Sequence, residues 1–369
     1  MKSRKFNQGR KLGFQQLESR MLMSGDVTVA VQHGALVVTG DNNDNQIEIH
    51  QVADGQYEVV GETTGFYGTT TVNGQLAPQT FSGVTGDFKI DLKGGYNSVA
   101  IGPQPGQSMT LPKNLKVNVS AGFDEVEVGN TTVTGGVAVN GKSAQATVQL
   151  EGCVIGSPNF NSGRNDCKIN LSHGALLTAD TSFERDVSFI GSGANELEMQ
   201  TTSVGRDLSY KSKGDPSRGD SIELYHDSVS RNASFQTGDG NDQVEMIGLD
   251  VGGKLKILTG GGDDAVTLGG FDPNMSSVKE VPAPVTADQV FVDLGNGDDT
   301  LRIGGNDFWG FTGGGVAANK ATYLGGDGVD RVINESGQDL FGSFSGFEIM
   351  PHKPLAPLPI VHVGPVALA

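Results

Sequence analysis

KLKILTGGGDDAVTLG, residues 254–269, places two alternating segments on either side of a glycine-rich centre. Leu255 and Ile257, then Val266 and Leu268, fall on every second position, the period at which a strand buries one face only. Gly260, Gly261 and Gly262 supply backbone conformations that other residues resist, and Asp263 and Asp264 are turn formers. Whether these carboxylates grip a cation or only turn the chain decides most of what the sequence says about function.

The same unit recurs along the chain. It reads LVVTGDNNDNQIEI (36–49), KIDLKGGYNSVAI (89–101), KVNVSAGFDEVEV (116–128), FIGSGANELEM (189–199), ASFQTGDGNDQVEMIG (233–248), VFVDLGNGDDTLRIG (290–304) and ATYLGGDGVDRVIN (321–334). An Asn or Asp stands two residues before the second segment's first apolar residue, at 45, 97, 124, 195, 242, 264, 299 and 330. The closest pair is 22 residues apart, and the gaps of 52 and 71 leave room for degenerate units. A unit that buries one face must stack on its neighbours to cover it. The expected fold is all-β: a parallel β-solenoid of β-helix type, its Gly/Asp/Asn turns in rows along one edge. The alternative is a β-sandwich, with the same turns closing antiparallel hairpins.

Composition agrees. Gly accounts for 55 of 369 residues and apolar residues for 36%, a balance that favours short strands and tight turns over helices and a thick core. The net charge is −17, yet residues 1–25 carry six basic groups against Glu18 alone, so the rest of the chain is more acidic still. Such a body repels nucleic-acid phosphates and suits cations. No stretch approaches the ~18–20 apolar residues of a membrane span. Cys153 and Cys167 permit either a loop-closing disulfide, in an exported protein, or two small core thiols.

Three segments follow: a basic leader (1–25), a repeat domain (26–350) and a Pro-rich tail (351–369). The leader lacks the apolar core of a secretory signal. Its segment Phe14-Gln15-Gln16-Leu17-Glu18-Ser19-Arg20-Met21-Leu22-Met23-Ser24 resembles the Leu-Glu-Pro-Arg-x-Leu-Leu leader of large planctomycete proteins, with Ser19 in place of Pro. That resemblance implies a planctomycete source and a secreted or cell-surface destination.

The turns resemble the Gly-Gly-x-Gly-x-Asp-x-apolar-x repeat of the hemolysin-type (repeats-in-toxin) calcium-binding family. Gly325-Gly326-Asp327-Gly328-Val329-Asp330-Arg331-Val332 carries every consensus position, while the turns at Gly238, Gly260 and Gly295 lack the first glycine. The resemblance implies calcium as cofactor, held by Asp239, Asp242, Asp263, Asp264, Asp298, Asp299, Asp327 and Asp330, with Asp239 and Asp242 facing Asp263 and Asp264. Here the turns are solitary within longer units, and Asn45, Asn97 and Asn195 bring no charge. Turn geometry is therefore the shared requirement, with metal confined to the C-terminal half. The other reading is solvated turns with splayed side chains.

Other motifs dissolve on inspection. Gly136–Ser143 fits a phosphate-loop pattern, but Val137 and Val139 alternate as in a strand. Arg218-Gly219-Asp220-Ser221 matches an adhesion tetrapeptide and reads better as a turn into Ile222 and Leu224. Asp41–Asn45 begins like an EF-hand loop, yet Gln46 replaces its glycine. No zinc-protease or serine-hydrolase motif is present. The expected function is an exported structural or binding module, with cell-envelope or extracellular-matrix partners, polysaccharide among them. A β-helix polysaccharide lyase or hydrolase is the runner-up, and an adhesin or filament subunit associating end to end is a third reading.

Overall fold

The computed structural model describes residues 23–64, 68–105, 107–120, 122–157, 167–271, 282–304, 314–336 and 340–348. Among them there is no helix, hence none long and apolar enough to cross a membrane. They form one large, mostly parallel 32-stranded sheet and a two-stranded antiparallel sheet of Gly270–Phe271 with Pro282–Ala283.

The parallel pairings run in three rows. The first passes from Ala35–Thr39 through Phe88–Asp91, Leu115–Asn118 and their successors to Ser343–Ser345. The second passes from Gln46–Ala53 through Asn97–Ile101 and Phe123–Gly129 to Arg331–Asn334. The third starts at Met109–Leu111, continues through Thr131–Val133 and Val154–Ile155, and reaches Val316–Asp327. The chain visits first, second and third row in the same order in each repeat.

Alternation decides which side chains meet. In the second row Ile47, Val99, Val126, Val148, Leu176 and Leu197 stack in register and are all buried. Like residues on neighbouring rungs, about 4.8 Å apart, make a continuous core without a thick interior. The same spacing stacks rings in the first row: Phe189 lies 5.1 Å from Tyr210 with planes 8° apart.

Degenerate units do fill the long gap between Asp124 and Asn195. Ala146 and Gly174 occupy the register there, and Asp220 occupies it between Asn195 and Asp242. The gap between Asn45 and Asn97 holds no extra unit. Gln56–Gly61 instead pairs antiparallel with both Gln46–Ala53 and Gln79–Ser82. Hairpin pairing, the basis of the sandwich alternative, is thus confined mainly to the N-terminal end.

The first strand, Met23–Gln32, begins inside the segment expected to be leader, with Met23 opposite Thr69. Asp26 ties it down, its carboxyl accepting from Thr71 Oγ1 at 2.5 Å and from Gly74 N at 2.8 Å. Residues 1–22 and 349–369, and with them most of the leader and all of the Pro-rich tail, lie outside the described residues. Cys153 and Cys167 are buried and not bridged to each other, one at the corner before the third row and one in the first row. Val137–Glu151 is strand throughout, so the phosphate-loop pattern has no loop.

Candidate functional site: a buried row of Asn and Asp turns

Between first and second rows the turns stack, and one position in each points inward. It is Asn45, Asn97, Asp124, Ala146, Gly174, Asn195, Asp220, Asp242, Asp264, Asp299 and Asp330 in succession. The expectation of solvated, splayed carboxylates fails for the inner position, where Asp242 and Asp264 are 2% exposed and Asp330 0%, while Asp239, Asp263, Asp298 and Asp327 are exposed. Each inner one is buried because the next repeat's turn lies directly over it.

One hydrogen bond repeats along the row. Asp220 N donates to Asp242 Oδ1 at 2.7 Å, Asp242 N to Asp264 Oδ1 at 2.8 Å, Asp264 N to Asp299 Oδ1 at 2.8 Å and Asp299 N to Asp330 Oδ1 at 3.0 Å. Asn45 N donates likewise to Asn97 Oδ1 at 3.0 Å, and Asn195 N to Asp220 Oδ1 at 2.8 Å. At the C-terminal end Asp330 N donates to Glu348 Oε2 at 2.8 Å, so a glutamate closes the row. Glycine is required beside it. Gly262 and Gly297 have φ of +122° and +138°, and a Cβ on Gly262 would meet the Gly240 oxygen at 2.3 Å.

Asn and Asp differ at the second side-chain atom. Asn45 Nδ2 donates to Asn43 O at 2.8 Å, Asn97 Nδ2 to Gly94 O at 3.3 Å, and Asn195 Nδ2 to Gly193 O. In Asp turns an oxygen takes that place. A Cβ added at Gly325 would stand 2.6 Å from Asp330 Oδ2, just as one at Gly40 would stand 2.9 Å from Asn45 Nδ2. Oxygen cannot donate to carbonyls unless protonated. Accordingly Oδ2 of Asp124, Asp220, Asp264, Asp299 and Asp330 has no hydrogen-bond partner.

A proton is the smallest remedy. Burial pushes Asp242 and Asp264 up to about 7, and Asp124 and Asp299 up to about 6. Geometry at Asp242 agrees. Thr237 Oγ1 lies 2.9 Å from Thr259 O, which can only accept, and also contacts Asp242 Oδ2. A hydroxyl has one proton to give. If the carbonyl takes it, the contact with Asp242 is a hydrogen bond only when the carboxyl carries its own.

The eight carboxylates expected to bind calcium separate into three columns. Asp242, Asp264, Asp299 and Asp330 form the inner one. Asp263 and Asp298 stand in an outer column, where Asp298 N donates to Asp263 Oδ1 at 2.9 Å and Val329 N to Asp298 Oδ1 at 2.9 Å. Asp239 and Asp327 share a third register with Gly261 and Asn296. Asp242 and Asp264 do meet, but Asp263 Nα bonds Asn241 Oδ1 at 3.0 Å, and Asp239 lies opposite Gly261. Calcium takes six to eight oxygens, several anionic. Asp264, Asp299 and Asp330 each leave one orphaned carboxylate oxygen, and among the described residues no group of three His, Cys, Asp or Glu converges. The donor set fits a proton better than a calcium cage.

Two further corners escaped the sequence reading. Before the third row, Thr131, Cys153, Thr181, Thr202 and Asp227 stack, with Cys153 N donating to Thr181 Oγ1 at 3.3 Å and Thr202 N to Asp227 Oδ1 at 2.7 Å. Burial pushes Asp227 up to about 7. Asn130, Asp180, Thr201 and His226 precede these residues with φ of 47°, 47°, 51° and 58°, the left-handed bend. Before the first row, Asn114 N donates to Asp87 Oδ1 at 3.3 Å and Asn232 N to Asp207 Oδ1 at 3.2 Å. The signal lay in the recurrent Thr/Asp-Ser/Thr-apolar triplets, too short to notice without the stacking. The adhesion-like tetrapeptide follows a turn and leads into the strand, with Arg218 N closing that turn on Asp215 O at 2.9 Å, and its Asp220 is only 2% exposed.

No protein-family model matches the chain, and neither a curated protein nor a solved structure shows significant similarity to it. The likeness to calcium-binding repeats rests on the turn residues alone.

Proposed function

We propose that this chain is an exported, cell-surface β-solenoid with a structural role, built of stacked coils whose turns bond one another in rows. The carrying observation is the repeated link in which one turn's backbone N–H meets the next turn's carboxylate or amide, from Asn195 to Glu348 without a break. Each coil thereby templates the next, the property of a repeat scaffold. The acidic body and the leader-like N-terminus support export, with envelope or matrix components, polysaccharide included, as partners. Calcium belongs to this proposal only as a counter-ion for the rows once they ionise.

Excision of whole coils tests the scaffold reading. Removing residues 243–264 joins Asp242 to Ala265, which occupy successive positions of adjacent repeats. The shortened chain is expected to melt cooperatively near the parent temperature, whereas removing half that length should unfold it. If both deletions unfold the chain, the coils are not interchangeable and the solenoid reading falls. Antibody labelling of intact cells tests the surface assignment, and signal only after lysis would refute it.

A further inference from the structure

The turn row is broken at one place. At Ala146 and Gly174 neither Asn nor Asp occupies the register, and Val137–Glu151 and Cys167–Ala179 are strand through the corner. The missing turns leave a notch of about 370 Å³, walled by Phe123 on one side and by Arg218 and Gly219 on the other, with Gly174 in its lining. Gln145, Thr147, Glu196 and Ser221 also line it. Phe123 is 39% exposed, and Tyr96, which precedes Asn97 as Phe123 precedes Asp124, is 57% exposed on the adjacent rung.

We propose that this notch binds a neutral sugar residue of a polysaccharide, with Phe123 as its apolar platform. A pyranose presents an apolar face of C–H groups and a rim of hydroxyls that both donate and accept. Phe123 suits the face. The amide of Gln145, the hydroxyls of Thr147 and Ser221, the Glu196 carboxylate and the Arg218 guanidinium offer both kinds of partner. The volume falls within the range of ligand clefts, and a few polar groups around an apolar contact are their usual composition. Charge selects among ligands. An anion meets Glu196 and a chain of net charge −17, a cation meets Arg218, and a wholly apolar ligand strands the polar lining. A neutral, hydroxyl-rich ring leaves none of these conflicts. Truncation of the turns at Ala146 and Gly174 opens this gap in the inner register. This inference stands apart from the scaffold reading, since the notch would bind sugar whether or not whole coils can be excised.

Isothermal titration of the full chain with cellohexaose, chitohexaose and xylohexaose, with trigalacturonate as the acidic comparison, tests it. At least one neutral hexasaccharide should bind with submillimolar Kd. Phe123→Ala should weaken that binding tenfold or more, while Phe123→Tyr stays within about threefold. Both variants should melt with the parent, because Phe123 lies outside the core. The proposal is overturned if the folded chain binds none of the three neutral probes, if trigalacturonate alone binds, or if Phe123→Ala binds as the parent does.

Discussion

Asn45, Asn97 and Asn195, nearer the N-terminus, and Asp264, Asp299 and Asp330, nearer the C-terminus, hold the same place in the same row. Both kinds receive or pass on the backbone link, but only the Asn turns supply a donor to their own turn carbonyls. The Asp turns leave Oδ2 without a partner. The Asn turns are therefore a built-in control for the Asp turns, Asp124 among them: the hydrogen-bonded turn needs no charge, and charge is what the Asp turns must neutralise. Where Asn45 and Asn195 open their segments, with no preceding Asn or Asp to donate, it is Oδ1 that lacks a partner. The polarity of the row is visible in which atom is orphaned.

The largest expected effect tests what the two kinds of turn share. Gly95→Ala and Gly262→Ala place a Cβ 2.4 Å from Asn43 O and 2.3 Å from Gly240 O, at φ of +100° and +122°. Each should cost about 3 kcal/mol or more, or prevent folding, by thermal or denaturant melting. A large loss at Gly262 with none at Gly95 would show that the turns differ in more than charge.

Acidity comes next. The folded aspartyls Asp242, Asp264 and Asp227 hold protons to about pH 7 and Asp299 and Asp124 to about 6, whereas unfolded carboxyls release theirs near the ordinary value of 3.8. Between those limits the native state binds more protons, so stability falls as pH rises from about 4 to 7 and levels beyond. Asp87, held low by its bonds to Lys116 and Asn114 despite burial, opposes this, as do Glu48 and Asp215, both also held low, but they are outnumbered. A melting temperature that rises steadily over this window would show that the rows are not protonated.

Exchanges between the two kinds of turn are smaller. Asn97→Asp removes the donor that reaches Asp124 Oδ1 at 2.7 Å and sets two carboxylates together. It should cost about 2 kcal/mol at pH 8 and much less at pH 5. The reverse change, Asp264→Asn, gives the orphaned position a donor and should gain about 1 kcal/mol at pH 8, with no gain near pH 4. Equal effects at both pH values would assign the change to packing.

Calcium should produce the smallest effect. Millimolar calcium should raise the melting temperature slightly at pH 8, where the rows ionise, and not at pH 5, and Asp264→Asn with Asp299→Asn should abolish the response. A strong response at both pH values would reinstate the cage implied by the toxin-repeat resemblance. No response at either would leave the aspartates as turn residues only.

Much of this was legible in the chain itself. Leu255, Ile257, Val266 and Leu268 are buried as their alternation requires, and all eight Asn and Asp positions picked by spacing fall into one row. Asp220 was missed because its turn is longer, with Arg218 and Gly219 intervening after Asp215. Ala146 and Gly174 were missed because a degenerate turn leaves only alternation, which a strand of any row shares.

The sequence by itself determined the all-β character, the one-sided strands and the position of the glycine turns, because these follow from local periodicity and from backbone conformations that only a few residues adopt. Only the tertiary structure decided what the carboxylates face. Asp242, Asp264 and Asp299 are 22 and 35 residues apart in sequence yet linked at 2.8 Å, and the neighbour that buries one is the turn of another repeat. Burial, and with it the proton, is a property of stacking. An isolated Gly-Gly-Gly-Asp-Asp turn would be solvated and ionised at neutral pH, and the same five residues roofed by the next repeat form a dry, hydrogen-bonded step in a row.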